Sequence, residues 1–200
     1  AGYDVQSEVF RCSEHGDYTD RQRYICVATR PVPEVSFEMP EPQDTFSGLA
    51  QILDPPELVS PALRAASFVP VNSQLHQGRF NAKKIGTVTR GEDGASNCDF
   101  LHNRCYDVDH PLPVITGHWS WNGTNGAQWV LDEIGPRQLT ITEQARVHNF
   151  DSEATSFLMN TDKRSAQGYI ARSVPVGSLT KPYKSAHKFL QSATAVDNSP

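Results

Sequence analysis

The residues of this chain best suited to chemistry lie close together: Cys98, His102, Cys105 and His110, spaced C-x3-H-x2-C-x4-H, with Asp107 and Asp109 beside them. Thiolate and imidazole are zinc's preferred ligands, and four of them close a tetrahedral site. The spacing lacks the C-x2-C element of zinc knuckles and ribbons, so no metal is expected there. Cys98 and Cys105 are read instead as a local disulfide or as free thiols. Hydrolytic chemistry has weaker footing. His118 with Ser120 and Ser185 with His187 are neighbours in sequence, which does not make them neighbours in space. No G-x-S-x-G elbow, H-E-x-x-H helix, P-loop or G-x-G-x-x-G occurs. The expectation is a protein that is not an enzyme, with no catalytic residue, cofactor or metal.

The stretch HWSWNGTNGAQWVL, residues 118–131, holds all three tryptophans of the chain. Asn122 to Gly126 tolerate positive φ and separate two alternating runs, the pattern of a β-hairpin. Simple pairing sets Trp121 opposite Ala127 and Trp119 opposite Trp129, so Trp119, Trp121 and Trp129 share a face. That face is either core or a platform for a sugar ring or a partner's apolar group. The expected ligand- or receptor-binding residues are His118, Trp119, Trp121, Asn122, Thr124 and Asn125 around the hairpin tip. Asn122-Gly123-Thr124 is also a formal glycosylation sequon.

The elements that must carry these residues read mostly as strands. Tyr3 to Phe10, Tyr24 to Ala28, Phe68 to Val71, Ile85 to Thr89 and Val114 to Thr116 are strand-like, as are Gln138 to Thr142, Val147 to Phe150, Ser156 to Met159 and Tyr169 to Val176. Pro31, Pro33, Pro40 and Pro42 border an expected edge segment at Val35 to Phe37. Helix is expected only within Thr45 to Leu53, Ser60 to Ala66 and the tail after Ser185. Short strands separated by turns predict a mainly β fold, an antiparallel barrel or sandwich with a few short helices in its connections.

The 200 residues are expected to form a single β-rich domain, 1–200. The start at Ala1 suggests excision from a longer polyprotein. A net charge of −5 offers no footprint for nucleic acid, and no apolar run suits membrane insertion. Cys12 and Cys26 flank a polar turn and are candidates to face each other across it.

An all-β frame without a catalytic signature, with a cut-like start and end, resembles the projection or spike domains of non-enveloped RNA-virus capsids, astrovirus spikes in particular. The resemblance implies a β-barrel-like homodimer on the virion surface that engages a host-cell receptor, protein or glycan, and neutralising antibodies. It implies no nucleic-acid partner and no membrane insertion. The alternative is a secreted, extracellular carbohydrate-binding or hydrolytic β domain that uses the tryptophan face.

Overall fold

A computed structural model of the chain describes residues 2–43, 46–65, 67–70, 84–89, 104–115 and 128–197. The chain opens with an antiparallel ribbon of β1 (Asp4–Arg11) and β2 (Gln22–Thr29), in which Asp4 pairs with Thr29 and Arg11 with Gln22. A 3-10 turn, Cys12–His15, reverses the chain and ends at Gly16, whose φ of 94° is costly for any residue with a Cβ. Side chains alternate across the ribbon. Phe10 is buried on one face, where Gln6 Nε2 donates to the Phe37 carbonyl at 2.6 Å. The other face carries exposed Val5, Val9, Tyr24 and Cys26.

Residues 30–65 run irregularly through 3-10 turns at Ala50–Ile52, Pro56–Leu58 and Pro61–Leu63. The strand expected at Val35 to Phe37 is reduced to one bridge between Val32 and Val35. Nearby prolines lack the amides a longer ladder needs.

A second, mixed sheet has the order β3-β4-β5-β6-β7. Its strands are β3 (Ser67–Pro70), β4 (Lys84–Thr89), β5 (Arg104–Asp107), β6 (Trp129–Asp132) and β7 (Gly135–Gln138). All pairings are antiparallel except β5 with β6, where Cys105 lies beside Trp129. Alternation sends Tyr106 and Val130 into the main core with Leu49, Ile52, Leu112, Leu139 and Val147. It sends Cys105 and Trp129 to the opposite face, against Val88. Just before β3, Arg64 bridges Arg137 of β7, so the sheet curls back toward its own first strand.

The C-terminal third is helical: α1 (Ile141–Val147), α2 (Ser152–Met159), α3 (Lys163–Arg172) and α4 (Val176–Asp197). Here the strand reading fails. Leu139 and Ile141 alternate like a strand, but the next residues complete a capping box. Thr140 Oγ1 accepts from Glu143 N, and the Glu143 carboxylate accepts from Thr140 N. Asp151 and Asp162 cap α2 and α3 in turn, accepting from Ala154 N and Ser165 N. Leu158, Ala166 and Ile170 then point into the core shared with α1.

The expected antiparallel barrel or sandwich is therefore replaced by an α/β arrangement, a mixed sheet with helices packed beside it. Among the described residues, helix outweighs strand. The turns within Thr45 to Leu53 and Ser60 to Ala66 are single 3-10 turns, and the tail helix begins at Val176, well before Ser185. No helix among the described residues is long and apolar enough to cross a membrane.

Candidate functional site

The hairpin-tip residues His118, Trp119, Trp121, Asn122, Thr124 and Asn125 lie outside the described residues, as do Cys98 and His102. Trp129 is described, and it is core, 1% exposed. Cys105 is a buried free thiol whose pKa is pushed up to about 12, chiefly by burial. His110 lies 3.5 Å from Asp107 instead. Cys12 and Cys26 do not meet across the ribbon. The register sets Cys26 opposite Ser7, while Cys12 follows the last pair, and both are free thiols.

A buried polar grouping lies where the base of the ribbon meets the ends of α1, α3 and α4. At its centre is Asp17, 1% exposed. Its Oδ1 accepts from Asn149 Nδ2 at 2.6 Å and Gly177 N at 3.1 Å, and its Oδ2 accepts from Ser178 N at 2.7 Å and from the Ser178 hydroxyl. A carboxylate from the far end of the chain thus caps α4, where the unpaired amides and the helix dipole favour negative charge. Burial pushes the Asp17 pKa up, and the hydrogen bonds from Ser178, Asn149 and Gly177 oppose it. Asn149 reaches Asp17 because it ends α1 in the left-handed region, at φ 54°. Gly177 admits no side chain, since a Cβ there would collide with the Asp17 carboxylate.

Around this centre stand two buried histidines and three cations. His148 is fully buried, and burial first, then Arg23, lowers its pKa to about 4, so it is neutral at pH 7. Its Nδ1 lies 2.9 Å from Ser173 Oγ, whose own hydrogen goes to the Ile170 carbonyl at 2.6 Å. The shared proton must therefore be on Nδ1, which leaves Nε2 a buried acceptor with no hydrogen-bond partner among the described residues. His15 stacks on Phe10, with ring centroids 4.0 Å apart, and its pKa is lowered by burial and by Lys181. Arg21 donates through Nη1 to the Ala171 carbonyl at 2.9 Å, while its Nε and Gln167 Nε2 lack partners among the described residues. Arg23 is half-buried at the start of β2, and its charge acts on both Cys12 and His148. Cys12 is buried, hydrogen-bonded to Ser178 and raised to about 11, mainly by burial, so it is a thiol and no nucleophile at neutral pH. The junction thus gathers the Arg21 and Arg23 guanidinium groups, the Lys181 ammonium, which donates to Gln43 Oε1 at 3.0 Å, and one buried amide donor, Gln167 Nε2, an arrangement suited to an anionic or carbonyl-bearing ligand.

A second network fixes the sheet to the helices. Arg137 of β7 and Glu143 of α1 are both fully buried and pair through two bonds of 2.7 and 2.8 Å. Arg137 Nε donates to Asp132 at 2.5 Å, and Glu143 also accepts from Thr140 N and Asp54 N, each at 2.7 Å. Asp54 in turn accepts from Thr140 Oγ1 and Arg146. Burial alone would lower the Arg137 pKa, but the hydrogen bonds and charges of Glu143 and Asp132 outweigh it and raise it.

Of these residues, only Cys12 had been given a role from sequence, as a candidate partner for Cys26. One local signal was legible: Thr140-x-x-Glu143, a capping-box spelling. Asp17 had no local signal, because its partners lie 132 and 161 residues away.

The family model described as C-5 cytosine-specific DNA methylase matches residues 1–187. Among solved structures, the chain is similar to the Entamoeba histolytica methyltransferase EhMeth, with 16% identity and a TM-score of 0.53, covering 90% of this chain and 53% of that one. It is also similar to the S. pombe Dnmt2 methyltransferase, with 11% identity and a TM-score of 0.52, covering 92% and 56%. At these identities the likeness is one of fold, and the chain spans little more than half the length of either structure. No curated protein sequence matches it.

Proposed function

We infer, from the fact that this chain belongs to the C-5 cytosine-specific DNA methylase family, that it is part of an enzyme that transfers a methyl group to carbon 5 of cytosine in DNA. The observation that carries this reading is the family match over residues 1–187, nearly the whole sequence. The membership corrects the earlier expectations. A methylase family replaces the capsid spike, the secreted carbohydrate-binding or hydrolytic alternative and the non-enzymatic assignment. With the spike go the receptor, antibody and homodimer expectations and the virion-surface or extracellular location. The expectation of no nucleic-acid partner also falls. Net charge sums over the whole surface, whereas phosphate contacts need only a local group of cations.

Methyltransferases that act on a base in duplex DNA extrude it from the stack and read it in a pocket. Under this reading Arg23 and Lys181, at the rim of the polar junction, contact the nucleic acid. Arg21, held by the Ala171 carbonyl, and neutral His148 form the rigid floor beneath them. Methyl transfer also requires a donor cofactor. The cleft lined by Asp54, Asp132 and Glu133 and the cleft lined by Glu14 and Asp109 are acidic. Several of those carboxylates are engaged by arginines: Asp54 by Arg146, Asp132 by Arg137 and Glu14 by Arg11.

The test is incubation of the protein isolated from its source with cytosine-containing duplex DNA and a labelled methyl donor, followed by nucleoside mass spectrometry. 5-Methylcytosine is expected, and it should fall in Arg23→Ala with no loss of thermal stability. Label absent from DNA in a folded preparation, or present only in RNA, would remove the DNA methylase reading.

A further inference from the structure

Four buried side-chain atoms beside the junction have no hydrogen-bond partner among the described residues: Arg21 Nε, Gln144 Oε1, His148 Nε2 and Gln167 Nε2. Their residues are 8%, 0%, 0% and 4% exposed, so bulk solvent does not satisfy these atoms. Unpaired buried polar groups are costly, and four of them would remove a large share of a marginal stability.

The fold gathers these residues where α1, α3 and the base of the ribbon meet. Gln144 on α1 and His148 at its C-cap stand one turn apart, on one side of the helix. Gln167 stands one turn before Ala171 on α3, and the Ala171 carbonyl accepts from Arg21 Nη1 at 2.9 Å. Two residues further on, Ser173 Oγ lies 2.9 Å from His148 Nδ1. The two helices share one core, through Ala145 and Val147 on α1 and Ala166 and Ile170 on α3.

The four atoms also fall into two complementary kinds. Arg21 Nε and Gln167 Nε2 are donors. Gln144 Oε1 is an acceptor, its amide orientation fixed by the bond from Nε2 to the Leu139 carbonyl at 3.0 Å. His148 Nε2 is an acceptor too, because the ring is neutral and its proton is on Nδ1. A bound cation would face two donors, and a bound anion two acceptors. Water accepts two hydrogen bonds and donates two. We propose that Arg21 Nε, Gln144 Oε1, His148 Nε2 and Gln167 Nε2 enclose an internal hydration site, in which one water accepts from Arg21 and Gln167 and donates to Gln144 and His148. That water ties the base of the ribbon to both helices, and through it His148 acts as a positioning residue for Arg21. The site is independent of the methylase reading.

The test is nuclear magnetic resonance on the ¹⁵N-labelled full chain at pH 7. His148 should show a protonated Nδ1 and a bare Nε2. Arg21 Nε–H and the Gln167 amide should show cross-peaks to water whose laboratory-frame and rotating-frame Overhauser effects have opposite signs, the mark of a long-lived internal water. Gln167→Met removes one donor at similar length. In that variant, exchange of Arg21 Nε–H with solvent should speed by at least about tenfold with the circular dichroism unchanged. Should the variant fail to fold, the wild-type spectra decide alone. A proton on His148 Nε2, or no water cross-peak at Arg21 Nε–H, overturns the proposal. So does unchanged Arg21 exchange in a folded Gln167→Met, or a crystal structure in which Arg21 Nε donates directly to His148 or Gln144.

Discussion

Replacing Glu143 with Gln tests the reasoning about the sheet-to-helix clamp directly. The Glu143 carboxylate receives four donors, two from the Arg137 guanidinium and one each from Thr140 N and Asp54 N. A carboxylate has about four acceptor sites, so it is saturated. Gln keeps one oxygen and turns the other into a donor, which then faces a guanidinium N–H and a backbone N–H in a site closed to solvent. Breaking one partner of a buried ion pair costs about 3–5 kcal/mol, because the remaining charge is left uncompensated. For a chain of this size that lowers the melting temperature by about 6–20 °C. Urea unfolding followed by circular dichroism reads the change as a lower midpoint at unchanged slope. The double variant Arg137→Met with Glu143→Leu should cost clearly less than the two single changes together, since neither member of the fully buried Arg137–Glu143 pair is left without the other; the loss of the Asp132 contact is common to it and to Arg137→Met. A Glu143→Gln loss below about 1 kcal/mol, the range of an exposed pair, would refute the claim that this network is buried and saturated.

Three further outcomes follow from the polar junction. His148 has its pKa lowered from 6.5 to about 4. Between those values the unfolded chain binds a proton the folded chain refuses, so stability falls as pH drops through that window, by about 3 kcal/mol. His148→Asn, which keeps a donor for Ser173, should flatten that slope in urea titrations at stepped pH, and an unchanged slope would assign it to other groups. Gly177→Ala should lower the melting temperature markedly, because its Cβ meets the Asp17 carboxylate, and a neutral result would show that the α4 cap yields. Cys105 should stay unmodified by maleimide in the native protein while Cys26 reacts within minutes, reflecting buried and exposed thiols.

The strands β1, β2, β3 and β4 were legible because their signal is local, alternation bounded by turn residues. The C-terminal third was misread because α1, α2 and α3 are short and their periodicity is weak. A pair such as Leu139 and Ile141 satisfies a strand template as well as it does the end of β7 followed by a helix. What decides is the cap, and Thr140, Asp151 and Asp162 each open a helix. Weighing those three residues would have changed the fold class. The candidate site was less accessible. Its residues come from 12 to 23, 148 to 149 and 167 to 181, and no short spacing connects them. Composition misled as well, since a net charge of −5 is compatible with a few cations gathered at one junction.

The Asp17 cap has a consequence for the order in which the molecule assembles. The bond from Ser178 to Asp17 closes a loop of 161 residues, for which chain entropy alone asks about 4–5 kcal/mol before any contact rewards it. Such a contact forms late, after the ribbon and the first three helices have nucleated from nearer neighbours. On the ribosome, the ribbon and its acidic turn emerge long before α4, and the Asp17 carboxylate stays hydrated until the α4 amides arrive. Completion of the junction then depends on α4, so a truncation within that helix would leave a folding intermediate exposed to aggregation.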